Sequence, residues 1–136
     1  MWIQNISMRR LMDGDHTNPG KDSVLIQIVD PDREFPKPKF KFSEVHQFRF
    51  LDLEEDDNWG EDQKITDEQA LDIVNILKSA HDSRKNVIVH CHLGVCRSGA
   101  VCEVGTMMGF KDRRTYRNPN MLVKKKLMNA LGWGYE

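Results

Sequence analysis

The chain has 136 residues, 39% of them hydrophobic and 30% charged, with a formal net charge of −1. That length suits one domain with its own core, and the balanced charge implies no general affinity for polyanions. Three cysteines do not make a disulfide framework, and no apolar stretch reaches the length of a membrane helix.

Residues 2–7 read as a short strand. Ser7 to Met12 reads as a helical turn, closed by the polar, glycine-containing stretch 13–22. Val24-Leu25-Ile26-Gln27-Ile28-Val29 is an apolar, β-branched run and predicts a buried strand. Asp30-Pro31-Asp32-Arg33 breaks it, and Pro36 and Pro38 keep the following segment extended or looped. A third strand lies within Val45 to Leu53. An acidic stretch follows: residues 52–62 hold seven acids and no base. Thr66-Asp67-Glu68-Gln69 is a capping box that opens a helix. Ala70, Ile73, Val74, Leu77 and Ala80 give that helix one apolar face. Val87 to His90 is a core strand, and Gly99 to Met108 a helix whose small residues permit close packing on a sheet. Gly109 is its stop. Asn118-Pro119 starts the last helix, with Val123, Leu127, Ala130 and Leu131 as its buried stripe and Gly132 at its end.

Strands separated by helices predict a single α/β domain over residues 1–136, with a mostly parallel central sheet flanked by helices. Ligands of such sheets bind beyond the carboxyl ends of the strands. The stretch after Val87-Ile88-Val89 lies there: His90-Cys91-His92-Leu93-Gly94-Val95-Cys96-Arg97-Ser98-Gly99. A strand that ends in such a loop and re-enters a helix aims backbone N–H groups at one spot, where an anion is favoured. Cys91 lies against that spot, and electropositive surroundings favour its thiolate. Arg97 supplies a planar fork for two phosphate oxygens. A buried structural cysteine beside a surface arginine is the alternative. Zinc is another, since His90, Cys91, His92 and Cys96 are all possible ligands. Zinc sites usually need a second ligand pair, and His16, His46 and His81 are scattered. No metal and no cofactor is therefore expected.

The spacing resembles the His-Cys-x5-Arg-Ser/Thr signature of the cysteine-dependent protein phosphatases. The ending Gly-x-x-Arg-Ser-Gly is most similar to their compact dual-specificity branch, and the likeness runs over roughly residues 24–131. The short chain looks like a small bacterial or phage-type member. The resemblance implies a tyrosine-phosphatase-like fold and a defined set of roles. Cys91 would be the nucleophile and Arg97 the phosphate-binding arginine. Ser98 would stabilise the departing thiolate, and His90 would support the loop from outside. The backbone of His92, Leu93, Gly94, Val95 and Cys96 would bind phosphate, with Gly94 letting the backbone approach it. His92 and Cys96 depart from the residues usual at their positions. The lysines of phosphoinositide-directed relatives are missing, as is room for the pocket-deepening segments of larger tyrosine phosphatases. For the general acid, Phe50-Leu51-Asp52 is similar to an aromatic-x-Asp pattern of compact relatives and favours Asp52. Asp56 and Asp57 are the alternatives.

The function so implied is hydrolysis of phosphotyrosine, extending to phosphoserine and phosphothreonine, through a phosphocysteine. The expected partner is a phosphorylated protein or peptide. Rival readings keep the chemistry but change the substrate: an RNA 5′-triphosphatase, or a nucleotide or phosphoinositide phosphatase. A non-catalytic phosphate-binding module is a further rival, although it would usually have lost the cysteine or arginine. Residues 111–126 carry seven bases against one acid, but Tyr116 is the only aromatic there, so nucleic acid is disfavoured as a partner. Met1 to Ser7 lacks the character of a signal peptide, and there is no lipidation motif. A cytoplasmic monomer with no membrane association is the expectation.

Overall fold

Two apolar runs form the middle of the sheet. Strands β2 (Val24–Val29) and β4 (Val87–Cys91) are buried at every position, as strands covered on both faces must be. The computed structural model describes residues 1–54 and 63–134. Within them the sheet runs β3-β2-β4-β1-β5, with β1 at Trp2–Ser7, β3 at Glu44–Arg49 and β5 at Lys111–Asp112. Every described pairing is parallel, so the expected mostly parallel sheet is found.

Side-chain alternation divides the core. Ile3, Val24, Ile26, Ile28, Val87, Val89 and Cys91 belong to one cluster, packed beneath α2 (Asp67–Asp82), α3 (Arg97–Met107) and α4 (Met121–Ala130). Ile6, Leu25 and Ile88 pack with Leu11 of α1 (Met8–Asp13) in the other. The period of two thus sends Cys91 to the same side as Val87 and Val89, toward α3.

The local signals mostly act as their chemistry requires. Thr66 Oγ1 accepts from the Gln69 amide at 3.0 Å, and Gln69 Oε1 accepts from the Thr66 amide at 3.0 Å. The five apolar residues of α2 are buried together. In α3, a Cβ built on Gly105 would stand 2.7 Å from Ile3 Cδ1, so the missing side chain lets the helix lie close to β1. Gly109 takes φ +116° just beyond that helix.

One expectation needs correction, and the structure adds detail at two other points. β5 lies in what reads only as the start of a basic stretch. It pairs with β1 over Lys111 and Asp112. The third strand stops at Arg49; the Leu51 amide turns to the Gln63 carbonyl at 2.6 Å instead. The last helix starts two residues later than Asn118-Pro119 suggests. Its cap is Asn120, whose Oδ1 accepts from the Val123 amide at 3.0 Å. Leu122 joins Val123 and Leu127 in its buried stripe, while Ala130 and Leu131 are half-buried. Among the described residues no helix is long and apolar enough to cross a membrane.

Candidate active site

Cys91 ends β4, paired in register with Ser7 of β1. Residues 92–96 follow as a loop, and α3 begins at Arg97. The loop is held by its carbonyls. His92 O accepts from the Met8 amide at 3.2 Å, and Gly94 O from Asn5 Nδ2 at 2.7 Å. Val95 O accepts from the Asn118 amide at 3.1 Å. Cys96 O accepts from the amides of Ala100 at 3.0 Å and Asn120 at 2.9 Å. With the carbonyls so occupied, the amides of 92–96 have no backbone acceptor among the described residues. Loop amides without backbone partners are available to an anion.

Gly94 has a structural duty of its own. It takes φ +74°, and a Cβ there would overlap the Ile6–Ser7 peptide. Only glycine lets the loop seat on the end of β1 at this point.

The side chains meet in a cleft of about 340 Å³ at the carboxyl ends of the strands, lined by Cys91, Arg97, Cys96, His92 and Leu93 from the loop and its flanks. Asp30, Leu51, Asp52 and Leu53 line the facing wall. Cys91 Sγ lies 3.2 Å from Ser98 Oγ, and Ser98 is fully buried behind it. Arg97 is buried as well. Its Nη1 donates to Asp30 Oδ1 and to the Phe50 carbonyl oxygen, both at 2.7 Å. Its Nε has no hydrogen-bond partner among the described residues. His92 and Leu93 are exposed at the rim. Gly94 and Val95 do not line the cleft; they anchor the loop to β1 and to residue 118.

Of the residues singled out in the sequence, Cys91, His92, Leu93, Cys96, Arg97 and Asp52 line this one cleft, with Ser98 beside Cys91. Asp52 is fixed there by Asn120, whose Nδ2 donates to Asp52 Oδ1 at 2.6 Å and to the Leu53 carbonyl at 3.1 Å. Asp56 and Asp57 lie outside the described residues. The site also contains groups that the sequence reading missed: Asp30, the Phe50 carbonyl, Asn5 and Asn120. Asp30 had one available signal, its place at the carboxyl end of a buried strand.

The titratable groups sort by burial. Burial pushes the His90 imidazole down to about 4, so it is neutral near pH 7; its Nδ1 lies 3.3 Å from the Cys91 carbonyl oxygen. Burial first, then the Asp52 carboxylate and the Cys91 sulfur, raise the Cys96 thiol above its ordinary value. Burial pushes the Cys102 thiol up to about 12, and its Sγ points to the Ile3 carbonyl at 3.8 Å. Neither is suited to act as a thiolate near neutrality. Among the described residues, no three His, Cys, Asp or Glu side chains are grouped as metal ligands. The basic stretch is partly spent on structure. Arg117 pairs with Asp112 at 3.0 Å and Glu103 at 3.2 Å, and Lys126 pairs with Asp67 at 2.9 Å.

A family model of protein-tyrosine phosphatases matches residues 28–126. Among solved structures, human DUSP28 is similar with a TM-score of 0.62 and 14% identity, over 94% of this chain and 90% of that one. OH1 from the Orf virus, described as a tyrosine phosphatase with triple substrate specificity, gives a TM-score of 0.54 at 14% identity, over 94% and 81% of the two chains. At these identities the structural likeness is one of fold. No curated protein matches the chain by sequence.

Proposed function

Because the chain belongs to the protein-tyrosine phosphatase family, we propose that it dephosphorylates protein side chains, phosphotyrosine first, through a phosphocysteine on Cys91. Members of this family are phosphoric monoester hydrolases, and this chain is one of them. The observation that carries the reading is that Cys91 and Arg97 line one cleft, with Ser98 Oγ 3.2 Å from the Cys91 sulfur, beside a loop in which the carbonyls of residues 92, 94, 95 and 96 are engaged elsewhere.

In this mechanism the Cys91 thiolate attacks phosphorus in line and the leaving oxygen departs from the opposite side. The loop amides and the free edge of Arg97 stabilise charge on the equatorial oxygens. Asp52 protonates the leaving oxygen, then accepts a proton from the water that attacks the phosphocysteine. Asn120 holds Oδ1 of Asp52, which leaves Oδ2 to carry the proton. Ser98 donates to the sulfur as it departs, consistent with its 3.2 Å distance. Leu51, Leu53 and Leu93 offer apolar walls to an aromatic leaving group. Phosphoserine and phosphothreonine enter the same cleft with fewer contacts. A thiolate nucleophile needs a reducing compartment, which favours the cytoplasm.

The test is hydrolysis of an aryl phosphate in the presence of chelator. The wild type turns over without added metal and is inhibited by vanadate, a mimic of five-coordinate phosphorus. Cys91→Ser loses turnover but still binds a phosphopeptide. Activity retained by Cys91→Ser contradicts the proposal, as does wild-type activity abolished by chelator.

A further inference from the structure

We propose that Asn5 is a positioning residue of this phosphatase: its side-chain amide draws the Gly94 carbonyl toward β1 and so turns the Val95 N–H toward the phosphate. This rests on the function proposed above and adds to it a residue of β1. Asn5 lies within that strand, in register with Val89 of β4. Ile3 shares its face, which belongs to the apolar cluster beneath α3.

A polar amide is out of place there. Asn5 is fully buried, and its Oδ1 has no hydrogen-bond partner among the described residues. Burying an amide oxygen in this way is costly, and a leucine of similar size would avoid the cost. What asparagine supplies instead is its NH2 group, which carries two donors. One goes to the Gly94 carbonyl oxygen at 2.7 Å and the other to that of Tyr116 at 3.0 Å. Both partners are acceptors only, so the NH2 side of the amide must be the side that faces them.

Those two bonds orient the loop. The carbonyl and N–H of a trans peptide point opposite ways. With the Gly94 oxygen drawn to Asn5, the Val95 N–H points away from Asn5. That amide has no backbone acceptor among the described residues, and Leu93 and Cys96, on either side of this peptide, line the cleft. Gly94 takes φ +74°, and glycine alone does little to fix its own peptide; the hold comes from Asn5. The second bond reaches the next peptide. It ties down Tyr116, and two residues further on the Asn118 amide donates to the Val95 carbonyl at 3.1 Å. The Cys96 N–H is thereby turned the opposite way. One buried side chain thus aims two of the amides offered to the equatorial oxygens.

Asn5→Leu removes the donors at similar volume, and Asn5→Val does so with a residue suited to a strand. Turnover of an aryl phosphate, vanadate inhibition and thermal unfolding are measured for both variants and the wild type. The Val95 amide resonance is followed by NMR as vanadate is added. In the wild type it should move downfield, as an N–H that donates to an anion does. Asn5→Leu should lower kcat by about tenfold or more with KM changed less than about threefold, because aimed amides matter most in the transition state. Vanadate inhibition should weaken by a similar factor, and the Val95 shift should be lost. A side chain that served packing alone would change the unfolding temperature and the fraction of active enzyme, but not the vanadate inhibition constant of the folded molecules.

An Asn5→Leu variant with kcat and vanadate inhibition within about twofold of wild type overturns the assignment. So does a Val95 shift that survives the substitution. Should neither variant fold, the wild-type spectrum decides: a Val95 amide that vanadate leaves unmoved overturns the assignment. Failure of the underlying reading is distinct from these. It appears as a wild type whose Val95 amide responds to vanadate but which turns over no aryl phosphate.

Discussion

Asp52 presents one carboxylate oxygen to Asn120 and faces a cleft whose floor is Cys91. Its expected part in catalysis is set by the leaving group. An alkyl oxygen needs a proton in order to depart, whereas a nitrophenolate leaves unaided. Asp52→Asn should therefore lower kcat by about 100-fold on phosphoserine peptides and by much less on nitrophenyl phosphate. Parallel Asn variants at Asp56 and Asp57 are the comparison. If one of them shows the leaving-group-dependent loss and Asp52→Asn does not, the acid is that residue and the rest of the mechanism stands. Arg97 is also specified at this scale. Lysine keeps the charge but not the planar fork, so Arg97→Lys should be nearly as inactive as Arg97→Ala. A lysine variant within about threefold of wild type, a difference of only ~0.7 kcal/mol in barrier, contradicts a two-pronged contact.

The start of α4 joins three parts of the site. Asn120 caps the helix through Oδ1, binds Asp52 and Leu53 through Nδ2, and donates its own amide to Cys96 of the phosphate loop. Two of these duties separate by mutation. Serine is a good cap but too short to reach Asp52. Asn120→Ala should lose about 1 kcal/mol or more of stability from the cap alone, together with turnover. Asn120→Ser should recover much of the stability but not kcat. Equal recovery of both by serine would show that the contact to Asp52 is irrelevant to rate. Elements differ in how far the sequence reveals them, and the reason is locality. The capping box at Thr66 and the strand at Val24–Val29 are written in adjacent residues. The phosphate loop is equally local, since Cys91, Arg97 and Ser98 fall within eight positions. Asp30, the Phe50 carbonyl and Asn120 reach the site from distant segments, through the strand order β3-β2-β4-β1-β5. The local signals near them, a strand end at Asp30 and a helix cap at Asn120, do not say that they meet. β5 was hidden because two residues with no apolar run leave no periodicity to read. The helix cap was misplaced because Asn118-Pro119 and Asn120 offer competing local signals, and only the fold selects between them.

At the scale of the whole molecule, the two buried runs β2 and β4 make the sheet a rigid floor, and the cleft sits at its carboxyl end. The neutral, buried His90 ties that floor to pH. Its proton is bound in the unfolded chain below about 6.5 but in the folded protein only below about 4. Between those values the unfolded state holds more protons, so stability falls as pH drops from 6.5 toward 4. The full interval corresponds to roughly 3 kcal/mol. The carboxylates of Glu44 and Asp112 act in a lower window. Lys85 and Arg117 respectively hold them below their ordinary values, so their contribution is present above those values and is lost as pH falls further. Urea unfolding across pH should show both windows, and His90→Asn should flatten the upper one; an unchanged slope in that variant removes His90 as its source. The central claim, that this architecture exists to make a phosphocysteine at Cys91, is tested most directly by trapping it. Wild-type protein mixed with an aryl phosphate is quenched in acid within one turnover, and the phosphoryl group is located by peptide mass mapping. The account predicts one phosphoryl group, on Cys91, accumulating further in Asp52→Asn when hydrolysis is slowed. A phosphoryl group on any other residue, or turnover with none bound at all, contradicts it.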